Sequence, residues 1–127
     1  MSRRPQKKLL KNFAAFTGDL STLLPAARDA MLKRRGILAV ADITDDIRTA
    51  LNLSKDIKGA VITEIDSDSP AAKAGLREGD VIQEVNKQPV KNAKDLVGIS
   101  KKLKPNEKIL IRLWSQGRSG FIALEPK

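Results

Sequence analysis

The chain has 127 residues, a net charge of +9, no cysteine and no histidine. Disulfide scaffolds, cysteine-ligated zinc and thiol catalysis are excluded, and a Ser-His-Asp triad cannot be assembled from this chain alone. Aromatic residues make up only 3% (Phe13, Phe16, Phe121, Trp114), too few for a stacking platform for single-stranded nucleic acid.

Apolar residues make up 41%, which suits a modest aliphatic core in one domain, or in one small domain with an arm. The charge is uneven. Residues 1–36 hold nine Lys/Arg against two Asp, whereas residues 37–127 hold fifteen Lys/Arg against thirteen Asp/Glu. Basicity is therefore a property of the arm. No apolar run approaches the ~20 residues of a membrane span, and the basic N-terminus lacks the apolar stretch of a secretory signal.

In chain order, residues 2–8 read as a solvated end. Leu9, Leu10, Phe13, Ala14 and Phe16 recur at helical spacing up to Gly18. A second helix is expected with Pro25 in its first turn, Leu24, Ala27, Met31 and Leu32 on its apolar side, Lys33–Arg35 at its C-terminal end and Gly36 as its stop. Ile37–Ile43 reads as a strand. Thr44 can cap a short helix bearing Ile47, Ala50 and Leu51. Gly59–Ile65 is a second strand. Ser69-Pro70 opens one or two helical turns ending at Gly75, and Gly79-Asp80 leads into a third strand, Val81–Val85. Asn86–Pro89 is a turn. A helix from Asn92 or Lys91 carries Ala93, Leu96, Ile99, Ser100 and Leu103 on one side, and Pro105-Asn106 ends it. Lys108–Trp114 and Gly120–Glu125 are strands joined by a turn at Ser115–Ser119. The expected class is α+β, mainly β: a small, partly open β-barrel or sandwich of five or six short strands, capped by two or three helices and preceded by a helical arm.

The most informative stretch is Ser69-Pro70-Ala71-Ala72-Lys73-Ala74-Gly75-Leu76-Arg77-Glu78-Gly79-Asp80-Val81-Ile82. A capped helix presents alanines, a glycine reverses the chain, a leucine plugs the core and Gly-Asp launches a buried strand. This string resembles the SPAAxAGLxxGDVI signature of bacterial PDZ domains. The strand before it (Gly59–Ile65), the strand and turn after it (Glu84–Val90) and the helix Asn92–Leu103 resemble the same family, over residues 36–126. Arg35-Gly36-Ile37-Leu38-Ala39-Val40 resembles the RG-aromatic-LGV opening of PDZ domains in HtrA/Do-type serine proteases. Ile37 replaces the aromatic and Ala39 the glycine. Thr44–Ile47 and Leu51–Leu53 sit where that family carries its LTPEL…LGL helix, and Leu24–Lys33 resembles its linker helix. The resemblance divides the chain into a basic helical arm or linker, residues 1–35, and a PDZ domain, residues 36–127.

The resemblance implies a peptide-binding module without catalysis of its own. A peptide C-terminus, or a hydrophobic extended segment, adds as a strand to a sheet edge beside a helix, and backbone amides cradle the carboxylate. Mapped by motif, the loop and strand are Gly36, Ile37, Leu38, Ala39, Val40, Ala41, Asp42 and Ile43, with Leu38, Ala39 and Val40 supplying amides. The helix side draws on Leu96, Val97 and Ser100. Each assignment has a plainer rival. Leu38, Val40, Leu96 and Leu103 also read as core, Ser100 as a packing residue, and Arg34 and Arg35 either as a favourable field for a carboxylate or as solvated helix-end charges. A left-handed backbone at Ala39 would cost about 1 kcal/mol relative to glycine.

The acidic groups Asp42, Asp45, Asp46 and Asp66, Asp68 read as caps and hydrated ends, so no metal, cofactor or acid/base site is expected. The expected partners are peptide or unfolded-protein C-termini, together with a protease domain or other PDZ-containing subunits of an HtrA/Do-type protease. Nucleic acid is not expected, for want of a recognition motif. The arm 1–35 reads as a solvated or partner-facing extension, with a membrane-surface contact through Leu9, Leu10, Phe13 and Phe16 as the second reading. The rivals to the peptide reading are an assembly domain with a vestigial groove and a PDZ module of another bacterial protease or secretion system. The resemblance implies a periplasmic or cell-envelope location.

Overall fold

The structure, a computed structural model, describes residues 26–126. The expected helix around Leu9–Gly18, and Leu24 and Pro25 of the second, lie outside the described residues. The elements run α1 (Ala30–Arg34), β1 (Ile37–Asp42), α2 (Asp45–Leu51), β2 (Ala60–Ile65), α3 (Pro70–Lys73), β3 (Val81–Val85), β4 (Gln88–Pro89), α4 (Ala93–Ser100), β5 (Ile109–Ser115) and β6 (Arg118–Leu124).

All named strand pairs are antiparallel, in the order β1-β2-β3-β5-β6, with the short β4 paired to β3. The architecture is thus the expected mainly-β one, an open antiparallel sheet with short helices. Side chains alternate across a strand, and at β2 and β3 both faces are covered. Ala60 and Ile62 of β2 and Ile82 of β3 enter a main core with Leu32, Val40, Leu96, Ile109, Ile111 and Leu124. Val61 and Val81 point the other way, into a smaller cluster with Ala41, Ile47 and Ile57, against which Trp114 packs.

Local chemistry sets the helix limits. Thr44 accepts from Ile47 N–H, Ser69 from Ala72 N–H and Asn92 from Asp95 N–H, each at the start of its helix. Two expectations are corrected. The helix after Asn92 ends at Ser100 and gives way to turns before Pro105, so Leu103 lies beyond it. The helix expected through Ala27 begins only at Ala30, because Asp29 is an extended N-cap whose carboxylate accepts from the N–H groups of Met31 and Leu32. Ala27 is extended instead and forms an isolated antiparallel bridge with Val40.

Candidate functional site

The site is built from the segment that joins α1 to β1. Gly36 sits at φ +100°, and a Cβ there would fall 2.0 Å from Ser69 Oγ and 3.4 Å from Ala71 Cβ. The Ser69-Pro70-Ala71 turn thus fits against the loop because both sides are small. Ala71 N–H donates to Arg35 C=O at 3.0 Å, and Asp66 N–H to Gly36 C=O at 2.9 Å. The motif that carried the family resemblance works here as the backing of the loop before β1.

Arg35 pins the other side of that loop. Its side chain is fully buried and donates from Nη1 to Met31 C=O at 2.8 Å, and from Nη2 to Lys104 C=O at 3.1 Å and to Glu107 C=O. Burial pulls its pKa below the ordinary arginine value, opposed by the nearby Glu107 carboxylate. Arg35 therefore ties together α1, the loop and the turn before β5. Arg34 is exposed and donates to Pro105 C=O at 3.2 Å.

β1 lies at one edge of the sheet. Its inner side pairs with β2, with register shifts between Ile37 and Ala39 and between Ala39 and Val40. Its outer side meets the extended segment before α1. Ala27 N–H donates to Val40 C=O at 2.7 Å, and Val40 N–H donates to Ala27 C=O at 3.0 Å. Arg28 reaches Leu38 C=O from Nη1 at 3.3 Å, and the same nitrogen lies 3.0 Å from the Glu64 carboxylate.

Opposite β1 stands α4. Ala93 N–H donates to the Asp42 carboxylate at 2.8 Å, which fixes the start of the helix against the end of the strand. At the other end, Ser100 Oγ donates to the Asp29 carboxylate at 2.5 Å. Between strand and helix lies an open cavity of about 470 Å³, lined by Ala26, Ala27, Ala41, Asp42, Thr44, Ala93, Lys94 and Val97. The lining is mainly apolar and small.

The sequence-predicted residues distribute as follows. Gly36, Ile37, Ala39, Val40 and Ala41 are buried, with Ile37 and Val40 in the main core, so Val40 presents its backbone rather than its side chain. Leu38 is half-buried beside Arg28, Asp29 and Lys33. Asp42 caps α4, and Ile43 packs against the smaller cluster. Leu96 is wholly in the main core, Val97 faces the cavity and Ser100 is buried on Asp29. Ala39 is not among the residues with positive φ, so the alanine carries no left-handed strain.

Two participants escape sequence reasoning, Ala27 and Asp29. The run Ala26-Ala27-Arg28-Asp29-Ala30 has high helical propensity. The one signal against a continuous helix was Asp29, an N-cap residue type three positions before Leu32. Asp80 is also buried. It accepts from Arg77 N–H at 3.1 Å and from Ser115 Oγ at 2.6 Å. Burial raises its pKa against those bonds, and it braces the turn into β3. Among the described residues no cluster of three or more His, Cys, Asp or Glu could hold a metal, and no helix is long and apolar enough to cross a membrane.

Comparison with known proteins agrees with this geometry. A family model described as PDZ domain (PDZ_6) matches residues 61–115, from β2 to the end of β5. A probable periplasmic serine endoprotease DegP-like of Pseudomonas fulva (strain 12-X) is 33% identical over 124 residues, 98% of this chain and 25% of that protein. Its counterpart in Pseudomonas putida (strain GB-1) is 36% identical over 107 residues, 84% of this chain and 21% of that protein. The chain thus spans a quarter or less of the length of these relatives. Among solved structures, the HtrA-type protease AlgW with decapeptide superposes with a TM-score of 0.60 at 28% identity, over 68% of this chain and 26% of that one. The HtrA3 PDZ domain bound to a phage-derived ligand, FGRWV, gives 0.57 at 17% identity, over 82% and 86%, and bears on the fold alone.

Proposed function

We propose, since the chain carries a PDZ domain homologous to those of DegP- and HtrA-type periplasmic serine proteases, that its β1 edge and α4 capture peptides by strand addition. The chain carries a binding module rather than a protease domain. The observation that carries this reading is the pairing at Val40. Its N–H and C=O both bond an extended segment on the outer side of β1. The edge is thus competent for a further antiparallel strand, in a cleft walled by a helix.

In this reading the cavity lined by Ala41, Ala93 and Val97 takes an apolar side chain of the added strand, and the backbone of Leu38–Val40 receives the C-terminal carboxylate. Preferred ligands are the C-termini or hydrophobic extended segments of unfolded proteins. The domain tethers these as substrate, or reports them, for a protease domain or for other PDZ-containing subunits. The relatives are named periplasmic proteins, which supports a periplasmic setting. A membrane-surface contact of residues 1–35 would supplement this function. An assembly domain with a vestigial groove would make no use of the Val40 edge, whereas a PDZ module of another protease or secretion system would use the same edge for a different partner.

The test is an NMR titration of the chain with the pentapeptide Phe-Gly-Arg-Trp-Val, as free acid and as C-terminal amide. Shifts in Gly36–Ile43 and Ala93–Ser100 with the acid, weakened at least about tenfold with the amide, are the expected result. Amide signals in both segments that stay fixed at millimolar peptide would overturn the reading.

A further inference from the structure

The segment Ala26–Asp29 lies where a ligand strand would have to lie. We infer that it is a built-in competitor: a strap that holds the groove closed by occupying it, and that an incoming peptide must displace. The inference rests on the strand-addition reading above and concerns how that same edge is regulated.

Three contacts carry it. Along one side of a strand, the N–H and C=O of one residue serve a single partner. Val40 has given both to Ala27. A peptide cannot pair at Val40 while Ala27 does. Across the cleft, Ser100 Oγ on α4 is held by Asp29. Between them, Arg28 covers the Leu38 carbonyl and is tethered to Glu64 of β2. The strap thus touches the strand, the loop-side carbonyl and the helix through three consecutive residues, Ala27, Arg28 and Asp29. Ala26 and Ala27 also line the open cavity together with Asp42 and Thr44, so the strap forms one wall of the space beside it.

The strap is also built to release. Its strand pairing is one isolated bridge, whereas β5 and β6 pair continuously from Ile109–Leu124 to Ser115–Arg118. Its ion pair is open to water on the arginine side, with Arg28 at 59% and Glu64 at 33% exposure, so salt and water weaken it in part. The α1 helix behind it stays anchored through Leu32 and Arg35, both fully buried. Release therefore requires only Ala26–Arg28 to peel away, with Asp29 remaining as the cap of α1 and the partner of Ser100. A ligand's apparent affinity is reduced by the fraction of molecules whose strap is open.

The test compares the parent chain with Ala27→Pro and Arg28→Ala, titrated with Phe-Gly-Arg-Trp-Val free acid. Proline lacks the N–H that bonds Val40 C=O, and the arginine change removes the exposed tether without touching the core. The expected result is about tenfold tighter binding by Ala27→Pro and a smaller gain by Arg28→Ala. Amide exchange at Val40 should also be faster in both free variants than in the parent. Trp114 fluorescence reports the fold. If Ala27→Pro does not fold, Arg28→Ala decides. Equal affinity of the folded variants and the parent overturns the strap and leaves the peptide reading standing. No binding by the parent or by either variant overturns the peptide reading, and the competitor with it.

Discussion

The two edges of the sheet solve the same problem in opposite ways. A free strand edge invites unwanted pairing and has to be managed. At the β6 edge the management is built into a continuous hairpin. Gln116 and Gly117 both take left-handed backbones, at φ 50° and 86°, which suits a two-residue hairpin turn. Most of β6 is exposed, Arg112 lies 6.0 Å from the Phe121 ring centroid, and nothing in the fold leans on the tip of the turn. At the β1 edge the strand is buried on both faces, shifted in register twice, backed by α3 and flanked by α4. One edge is self-contained and tolerant. The other is held from several directions and covered at Val40 by the segment before α1. In the proposed strand-addition reading it is the rigidly framed edge, not the exposed one, that selects a partner.

Substituting one left-handed glycine beside each edge, Gly36 and Gly117, is the most direct way to break this contrast. Gly36→Ala places a Cβ against Ser69 in a backbone that alanine resists, and should cost on the order of 3 kcal/mol or more. Urea unfolding would measure this, and a loss below about 1 kcal/mol would mean that the loop is not pinned. Gly117→Ala meets no atom within 4 Å, so only the backbone penalty of about 1 kcal/mol applies. A loss equal to that of Gly36→Ala in the same unfolding series would erase the difference between the edges. Smallest of all, Phe121→Ser at a 61% exposed position should change stability by no more than about 0.5 kcal/mol. It should leave peptide binding unchanged. A binding defect there would move the functional edge to the opposite side of the sheet.

Much of this organisation is legible in the sequence, because it depends on neighbours in the chain. Thr44, Ser69 and Asn92 are cap residues that serve N–H groups three positions on, and such partners can be read from spacing. Gly75, and the glycine-aspartate pair before Val81, are equally local. What escaped depends on distant partners. Ala27 is helical by propensity and extended in fact because Val40 and Ser100, far along the chain, hold it and its neighbour Asp29. Arg35 reads as a helix-end charge, yet its hydrogen-bond acceptors at Lys104 and Glu107 lie about seventy positions away. Leu103 keeps the helical spacing but falls beyond a helix that ends at Ser100.

Those long-range hydrogen bonds have a kinetic consequence. The β5–β6 hairpin closes a loop of two residues and can form by local collapse, whereas the Arg35 clamp must bring together segments separated by most of the domain. Closing a longer loop costs more chain entropy before any contact compensates. The cleft between β1 and α4 is therefore expected to be completed late, after the hairpin end of the sheet has formed. On refolding, such a chain would form its hairpin before its cleft, and the groove would become competent to bind only once Arg35 reaches Lys104 and Glu107.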